Sequence, residues 1–445
     1  MHPKEIDALL ARFKERSITV AVIGLGYVGL PLVKALLGAG YRVIGLDIDP
    51  EKISALNGGR TYIRHLPFQQ FATAIETARF HPSTDFTCLP QADAVLICVP
   101  TPLSRNRDPD LSCVEATTRS IAANLRPGQL IVLESTTYPG TTREVMRPML
   151  EAGGLKSGQD FFLAYSPERE DPGNSEFSTT AIPRVVGGDG QAALSLAQAL
   201  YSSFVPKTVA VSSLEVAEAV KLTENIFRSV NIALVNELKV VYDAMGIDVW
   251  EVIDAAKSKP FGYMPFYPGP GLGGHCIPID PFYLAWKTRE FELSTHFIEL
   301  AGEVNTRMPR HVVARVSEEL NRRTGRGLKG ARVLIVGLAY KKNVDDTRES
   351  PSLKLIELLE KQGSACDVHD PFIPVIPPIR EHPRLVGRKT VPLDAKMIAQ
   401  YDVVLIATDH DNVDYRTLVG AAKLVVDTRN ACARAGVTGA NIAKA

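Results

Sequence analysis

Cys276 stands apart from the other cysteines of the chain, Cys88, Cys98, Cys113, Cys366 and Cys432. It lies in the run Pro268-Gly-Pro-Gly-Leu-Gly-Gly-His-Cys276-Ile-Pro-Ile-Asp280-Pro-Phe-Tyr. Glycines ahead of the thiol can expose backbone N–H groups to an anion. A helix expected from about Ile277, with Pro278 tolerated in its first turn, puts the sulfur at a helix N-terminus. A thiol there has a lowered pKa and acts as a nucleophile. Asp280 follows four residues later, on the same helical face. An arbitrary cysteine is more often a small buried thiol; the glycine approach and the carboxylate distinguish this one. His275 is a base by type, but sequence neighbours point apart on a helix or strand, so it receives no catalytic role.

A second cluster is Glu218-Ala-Val-Lys221-Leu-Thr-Glu-Asn225-Ile-Phe-Arg228. Lys221 and Asn225 are one helical turn apart and share a face. A lysine within an apolar helix can have its pKa lowered and serve in proton transfer. The blander alternative is a solvated lysine with a glutamate partner.

The run Val20-Ala-Val-Ile-Gly24-Leu-Gly26-Tyr27-Val28-Gly29 follows an apolar strand and opens a helix. Gly24 suits a tight turn, Gly26 the approach of a pyrophosphate, and Gly29 close helix–strand packing. The helix N-terminus offers N–H groups to phosphates. Asp47 ends the second strand, where a carboxylate meets ribose hydroxyls, so NAD is expected rather than NADP. Lys52 reads as a solvated lysine at a helix start rather than a 2′-phosphate ligand. Three loops after strands add polar groups along one rim: Thr101 and Pro102; Ser135 and Thr136; Glu168 and Arg169. Such rims are where open α/β sheets bind ligands.

Elements that could position these groups follow from periodicity. Short apolar runs at 19–23, 42–46, 94–99, 130–133, 161–165 and 184–186 alternate with helix-length segments, which implies a parallel sheet covered on both faces. From Leu214 to about Asp254, residues such as Val216, Val220, Ile226, Ile232 and Val235 recur at helical spacing and predict one or two long helices. A Pro/Gly-rich segment and a further helical stretch to about Arg323 follow. After a glycine-rich linker at 324–330, strands are expected at 333–336, 366–369, 403–407 and 424–426. The expected architecture is α/β: two Rossmann-like parallel-sheet domains joined by a central helical domain with a long helix. The expected bounds are 1–212, 213–323 and 324–445. The two α/β halves read as alike in layout but not in residues.

Composition narrows the classes. With 445 residues, three domains of about 150 are expected, each able to bury a core without disulfide or metal staples. Fifty basic residues balance fifty acidic ones, which argues against a nucleic-acid partner. No apolar stretch approaches roughly 18 residues, so no membrane span is expected. The first sixteen residues lack the apolar core of a signal peptide. Sparse cysteines without a CxxC pair suggest neither a disulfide framework nor a zinc site, and point to reducing cytoplasm.

These segments resemble the UDP-glucose/GDP-mannose dehydrogenase family over about residues 18–433. The resemblance is carried by Gly-Gly-His-Cys276-Ile-Pro-Ile-Asp280, Lys221-Leu-Thr-Glu-Asn225, Ser135-Thr-Thr-Tyr-Pro-Gly-Thr-Thr142 and Gly337-Leu-Ala-Tyr340-Lys341-Lys-Asn-Val-Asp-Asp-Thr-Arg348-Glu-Ser-Pro351. It implies an NAD-dependent four-electron oxidation of a UDP-sugar at C6. Cys276 matches the family's nucleophile. Lys221, Asn225 and Asp280 match the groups that handle protons and oxyanions, and Thr136 matches the Ser-Thr loop. Substrate contacts are implied at Glu168, Arg169, Lys221, Asn225, Gly271, Gly273, Gly274, Tyr340, Lys341 and Arg429. Arg348 matches a residue that reaches the cofactor. UDP-glucose dehydrogenases carry a second glutamate four residues after the match to Glu168; here Pro172 stands there. That stretch is similar to the UDP-N-acetylhexosamine branch, which implies UDP-N-acetylglucosamine, with UDP-glucose and UDP-N-acetylmannosamine as alternatives. Water for the last step has two candidate activators, Glu168 and a water held by Asp280. A homodimer or larger homo-oligomer is expected through the long central helix. From a different class, an NAD-retaining epimerase or a binding protein would also carry the glycine fingerprint, with no need of the cysteine.

Overall fold

The computed structural model describes residues 1–63, 66–104, 106–169, 180–274, 276–379 and 381–445. The chain forms two compact units, Met1–Glu224 with Phe282–Leu293, and Asn225–Pro281 with Ser294–Ala445.

The first unit is built on an eight-stranded sheet of β1 (Thr19–Ile23), β2 (Arg42–Leu46), β3 (Phe80–Ser83), β4 (Ala94–Ile97), β5 (Leu130–Leu133), β6 (Phe162–Tyr165), β7 (Arg184–Gly188) and β8 (Thr208–Ala210). The order is β3-β2-β1-β4-β5-β6-β7-β8. Every pairing is parallel except β6 with β7. Strands such as Ala94-Val-Leu-Ile97 and Leu130-Ile-Val-Leu133 are buried along their whole length, as a sheet covered on both faces requires. Leu30, Val33 and Leu36 of the helix Gly29–Gly38 and Leu196 and Leu200 of the helix Gln191–Tyr201 join one core with Val20, Val22 and Leu96. Strand order reverses between β1 and β4, so the C-terminal ends of those strands form the switch-point rim. Gly24 lies on it.

In the second unit the sheet contains β9 (Arg332–Val336), β10 (Ala365–His369), β11 (Val403–Ile406), β12 (Val425–Asp427) and β13 (Ile442–Lys444). All pairings are parallel, in the order β10-β9-β11-β12-β13. Val312, Val313, Val316 and Leu320 of the helix His296–Thr324 share a core with Val333, Ile335 and Leu353. That helix stops at Gly325, whose φ of 68° suits a residue without Cβ. The long helix is a single run, Leu214–Met245, followed by Val249–Ala256, capped by the Asp248 side chain.

Three strands were not anticipated: β3, β8 and β13. Each has three or four residues and lies at or near a sheet edge, so none shows an apolar run long enough to read. A correction also applies to the two α/β halves, which share residues as well as layout. Gly24 (φ 92°) and Gly337 (φ 94°) make the same turn, donating to Leu46 O and His369 O at 2.8 Å each. Asp47 accepts the Leu25 N–H at 2.8 Å, and Asp370 accepts the Leu338 N–H at 2.6 Å. The likeness stops at the later glycines, where Ala339 and Lys342 stand in place of Gly26 and Gly29.

Candidate active site

Physical constraints differ among the three fingerprint glycines. A Cβ on Gly24 would lie 2.5 Å from Cys98 O, and one on Gly29 1.8 Å from Gly24 O, so internal packing excludes both. A Cβ on Gly26 would meet no protein atom within 4 Å. Packing therefore does not require glycine there, whereas a pyrophosphate approaching the backbone does. Tyr27 and Val28 complete the turn, and the helix Gly29–Gly38 begins without a side-chain cap on its first N–H groups. Asp47 accepts from Leu25 N–H, from Asp49 N–H at 3.0 Å and from Lys52 Nζ at 2.9 Å. Lys52 is thus a partner of Asp47 rather than a solvated lysine. These residues fit NAD: an open glycine turn, uncapped N–H groups and a carboxylate at the second strand's end.

The neighbouring rim loops are tied down by hydrogen bonds. The Ser135 hydroxyl donates to Val99 O at 2.7 Å, and the Tyr283 hydroxyl to Thr101 O at 2.9 Å and Pro102 O at 3.3 Å. Thr136 is half-buried beside Ser135. Glu218, on the long helix, receives Gly140 N–H at 2.6 Å, Thr142 N–H at 2.9 Å and the Thr142 hydroxyl at 2.6 Å. Burial pushes the Glu218 carboxyl up to about 7, against the pull of those donors.

Below the same rim lies a buried ionic cluster. Arg184 pairs with Glu134 and, at 2.8 Å, with Glu168; its Nε donates to Ser166 Oγ at 3.2 Å. The Tyr201 hydroxyl donates to Glu134 at 2.6 Å, and the Tyr201 ring faces the guanidinium at 5.0 Å. Burial raises the Glu134 carboxyl to about 7, opposed by Arg184 and reinforced by Glu168. Lys221 is 8% exposed, and its Nζ donates to the Glu168 carbonyl oxygen at 2.5 Å. Arg169 binds Glu224 at 2.5 Å and Pro183 O at 2.8 Å.

In the second unit, Asn225 Nδ2 donates to Asp280 Oδ2 at 2.6 Å, and the Asp280 N–H donates to Cys276 O at 2.7 Å. Asn225 and Asp280 are each 3% exposed, while Cys276 is half-buried. The helix begins at Asp280 rather than at Ile277. Cys276 O instead receives the N–H groups of Ile279 and Asp280, closing a turn ahead of the helix, and Pro278 inside that turn has no N–H to give. His275, Pro172 and the rest of 170–174 lie outside the described residues.

The glycine loop packs on the C-terminal domain's own motif. A Cβ on Gly273 would stand 2.6 Å from Tyr340 Cβ, and one on Gly274 3.0 Å from the Tyr340 ring. Gly274 N–H donates to Arg348 O at 3.0 Å, and Gly271 adjoins Pro351 and Pro309. Arg348 is held by Asp346 at 2.5 Å. Lys341 is half-buried next to Tyr340. Arg429 is half-buried, donates to Ala407 O at 3.1 Å, and has its pKa lowered by desolvation. Among the described residues no carboxylate lies within ion-pair distance of it. A half-buried guanidinium so placed is suited to an anionic ligand.

The sequence reading assigns no role to Glu134, Arg184 or Glu218. One signal was available: Glu134 follows four wholly apolar strand residues without a break, and a charge there is either exposed at the rim or buried with a partner.

Comparison with known proteins gives these groups a context. Residues 18–205 match the NAD binding domain of the UDP-glucose/GDP-mannose dehydrogenase family, 215–307 its central domain, and 334–434 its UDP binding domain. The chain is 34% identical over 417 residues to the UDP-N-acetyl-D-mannosamine dehydrogenase of Pyrococcus horikoshii, covering 92% of this chain and 95% of that protein. It is also 34% identical over 397 residues to the UDP-N-acetyl-D-glucosamine 6-dehydrogenase of Pseudomonas aeruginosa, covering 89% and 91%. The solved structure of the Pyrococcus horikoshii enzyme superposes with a TM-score of 0.86 at 33% identity, over 96% of this chain and 99% of that one. Among the described residues no helix is long and apolar enough to cross a membrane. The chain belongs to the UDP-glucose/GDP-mannose dehydrogenase family and is an NAD-dependent UDP-sugar dehydrogenase.

Proposed function

We propose that the chain oxidises the C6 hydroxyl of a UDP-N-acetylhexosamine to the carboxylate, with UDP-N-acetylglucosamine the first reading, to supply a polysaccharide precursor. UDP-N-acetylmannosamine is the second reading, favoured by the name of the Pyrococcus relative; the Pseudomonas relative favours the first. The observation that carries the chemistry is Asp280, whose side chain accepts from Asn225 and whose N–H ties it to the carbonyl of Cys276.

NAD, when bound, takes the hydride of each of two oxidations. Lys221, or a water on Asp280, removes the C6 hydroxyl proton as the first hydride leaves. Cys276 adds to the aldehyde through sulfur, and Lys221 and Asn225 stabilise the oxyanion of the thiohemiacetal. Loss of the second hydride leaves a thioester. Water, activated by Glu168 or held by Asp280, attacks it and releases the thiolate and the acid. In sum, one alcohol, two NAD⁺ and one water give one carboxylate, two NADH and three protons. Gly271, Gly273, Gly274, Tyr340, Lys341 and Arg429 hold the UDP-sugar; Gly26, Asp47, Thr101, Pro102, Ser135, Thr136 and Arg348 serve the cofactor; Arg169 borders the substrate.

The working division is 1–212 for NAD, 213–323 for the central helices and 324–445 for UDP. A cytoplasmic homodimer or larger homo-oligomer is part of the reading. Phe227, Leu234 and Val241 recur every seven residues on the long helix and are 49%, 52% and 45% exposed, which supports an apolar seam between copies.

The test incubates the purified chain with NAD and, separately, UDP-N-acetylglucosamine, UDP-N-acetylmannosamine and UDP-glucose, counting NADH by absorbance. Two NADH per N-acetylated sugar is expected. Turnover of UDP-glucose alone overturns the substrate class, and an epimerised sugar without NADH overturns the oxidation.

A further inference from the structure

Arg184 divides its donors among three acceptors on two loops. One terminal nitrogen meets Glu134 after β5, the other meets Glu168 after β6 at 2.8 Å, and Nε meets Ser166 Oγ at 3.2 Å. The residue is 3% exposed and is backed by the Tyr201 ring. A lysine has one nitrogen and no fork, so it cannot make this pattern.

Glu168 is clamped at both oxygens. Oε2 receives Arg184, and Oε1 receives the Arg169 N–H at 2.6 Å. The residue's remaining acceptor, its carbonyl oxygen, receives Lys221 Nζ at 2.5 Å. A covalent and hydrogen-bonded path thus runs from the buried guanidinium through one residue to the amine on the long helix. Without the clamp, the Glu168 side chain no longer ties the carbonyl that aims the amine to β7, leaving the weaker Glu168 N–H contact to Glu134 O at 3.5 Å and the bonds of the neighbouring Arg169.

We propose that Arg184 is a positioning residue for the oxidation: by clamping Glu168 it fixes the carbonyl that orients the Lys221 amine. The inference rests on the catalytic reading of Lys221 given above. A plain structural staple joining β5, β6 and β7 is the competing role, and the two differ in how lesions combine. A group that acts through Lys221 has nothing left to position once the amine is gone, whereas damage to the fold multiplies with any other loss.

The test is a double-mutant cycle on the full chain, measuring kcat and both KM values. Lys221→Met is expected to lower kcat by about 10²-fold or more, the scale of a lost proton-transfer group. Arg184→Lys is expected to lower kcat by about 30-fold with each KM within about threefold, as for an interaction realised in the transition state. The double variant should fall no more than about threefold below Lys221→Met. Glu134→Gln loosens the far side of Arg184 while keeping size and an acceptor; it gives the same cycle, with a loss of about fivefold, if Arg184→Lys does not fold. Losses that multiply, or a parental kcat in the folded clamp variant, overturn the role of Arg184. A parental kcat in Lys221→Met instead overturns the reading of Lys221 itself.

Discussion

Asn225 Nδ2 and Asp280 Oδ2 lie 2.6 Å apart, a short donor–carboxylate bond between two residues 3% exposed. It fastens the long helix to the residue four positions after Cys276. Replacing the donor by an acid of the same shape tests it. In Asn225→Asp two carboxylates face one another and must share a proton or separate, which raises one pKa. The expected result is a fall in kcat of about 10²-fold at pH 8, with partial recovery as the pH is lowered toward 6. A pH-independent kcat at the parental level contradicts the arrangement.

At the cofactor end, NAD should be preferred to NADP. Asp47 repels a 2′-phosphate, but Lys52 offsets part of that charge at 2.9 Å. Lys52→Ala should therefore widen the ratio of kcat/KM values for the two cofactors. Asp47→Ala should narrow it, and should cost about 1–3 kcal/mol of stability by leaving the buried Leu25 N–H without its acceptor. Equal kcat/KM values for NAD and NADP in the parent sink the assignment.

Glu218 makes a prediction about pH and stability. Its carboxyl is raised from 4.5 to about 7 by burial, so the folded chain holds a proton that the unfolded chain releases. Stability from this group is complete below about 4.5 and is lost as the pH rises through about 7, a change of order 3 kcal/mol. Glu218→Gln does not titrate. The Tm advantage of the parent over this variant should shrink between pH 5 and pH 8; a growing advantage would show that the carboxyl is not raised.

Much of the fold was legible because its signals are local. The glycine turn at 24–29, Asp47 at a strand end and the long helical period after Leu214 each need only a short window. The Arg184 cluster needs β7 laid antiparallel beside β6, which joins residues 16 and 50 positions apart. No window of the sequence contains that pairing. The shared Gly24–Asp47 and Gly337–Asp370 geometry was hidden for another reason. The turn and the acceptor persist, but the glycine that admits a pyrophosphate and the one that packs the helix do not. The helix start at Asp280 was misplaced because a proline in a preceding turn and one in a first helical turn look alike in sequence.

The apolar seam on the long helix predicts an assembly. Phe227, Leu234 and Val241 present a stripe with a seven-residue repeat, and Met245 extends it at 63% exposure. Leu234→Glu places a charge at the centre of the stripe without disturbing a buried contact. Light scattering should give a dimer or larger species for the parent and a smaller species for the variant, with the thermal midpoint of the isolated fold little changed. A parent that is monomeric at micromolar concentration contradicts the seam.

Cys276→Ser separates the two oxidations. Serine keeps the size of the side chain, but its hydroxyl has a pKa far above that of the thiol and is a poor nucleophile and leaving group. The first hydride transfer does not use sulfur, so some aldehyde can still form and leave as its hydrate. The second oxidation needs the covalent adduct and should stall, at most giving an oxygen ester that hydrolyses slowly. Turnover to the acid should fall by about 10³-fold or more, the scale of a lost covalent nucleophile. Binding of NAD and of UDP-sugar should change little, because the residues proposed to hold them, Gly26 and Asp47 for NAD and Arg429 and Tyr340 for the UDP-sugar, do so without the sulfur. Mass spectrometry of the variant with substrate and NAD would detect aldehyde or a protein adduct. Acid formed at near the parental rate would make Cys276 a half-buried spectator held by its carbonyl to Asp280, and would remove the thioester from the reaction.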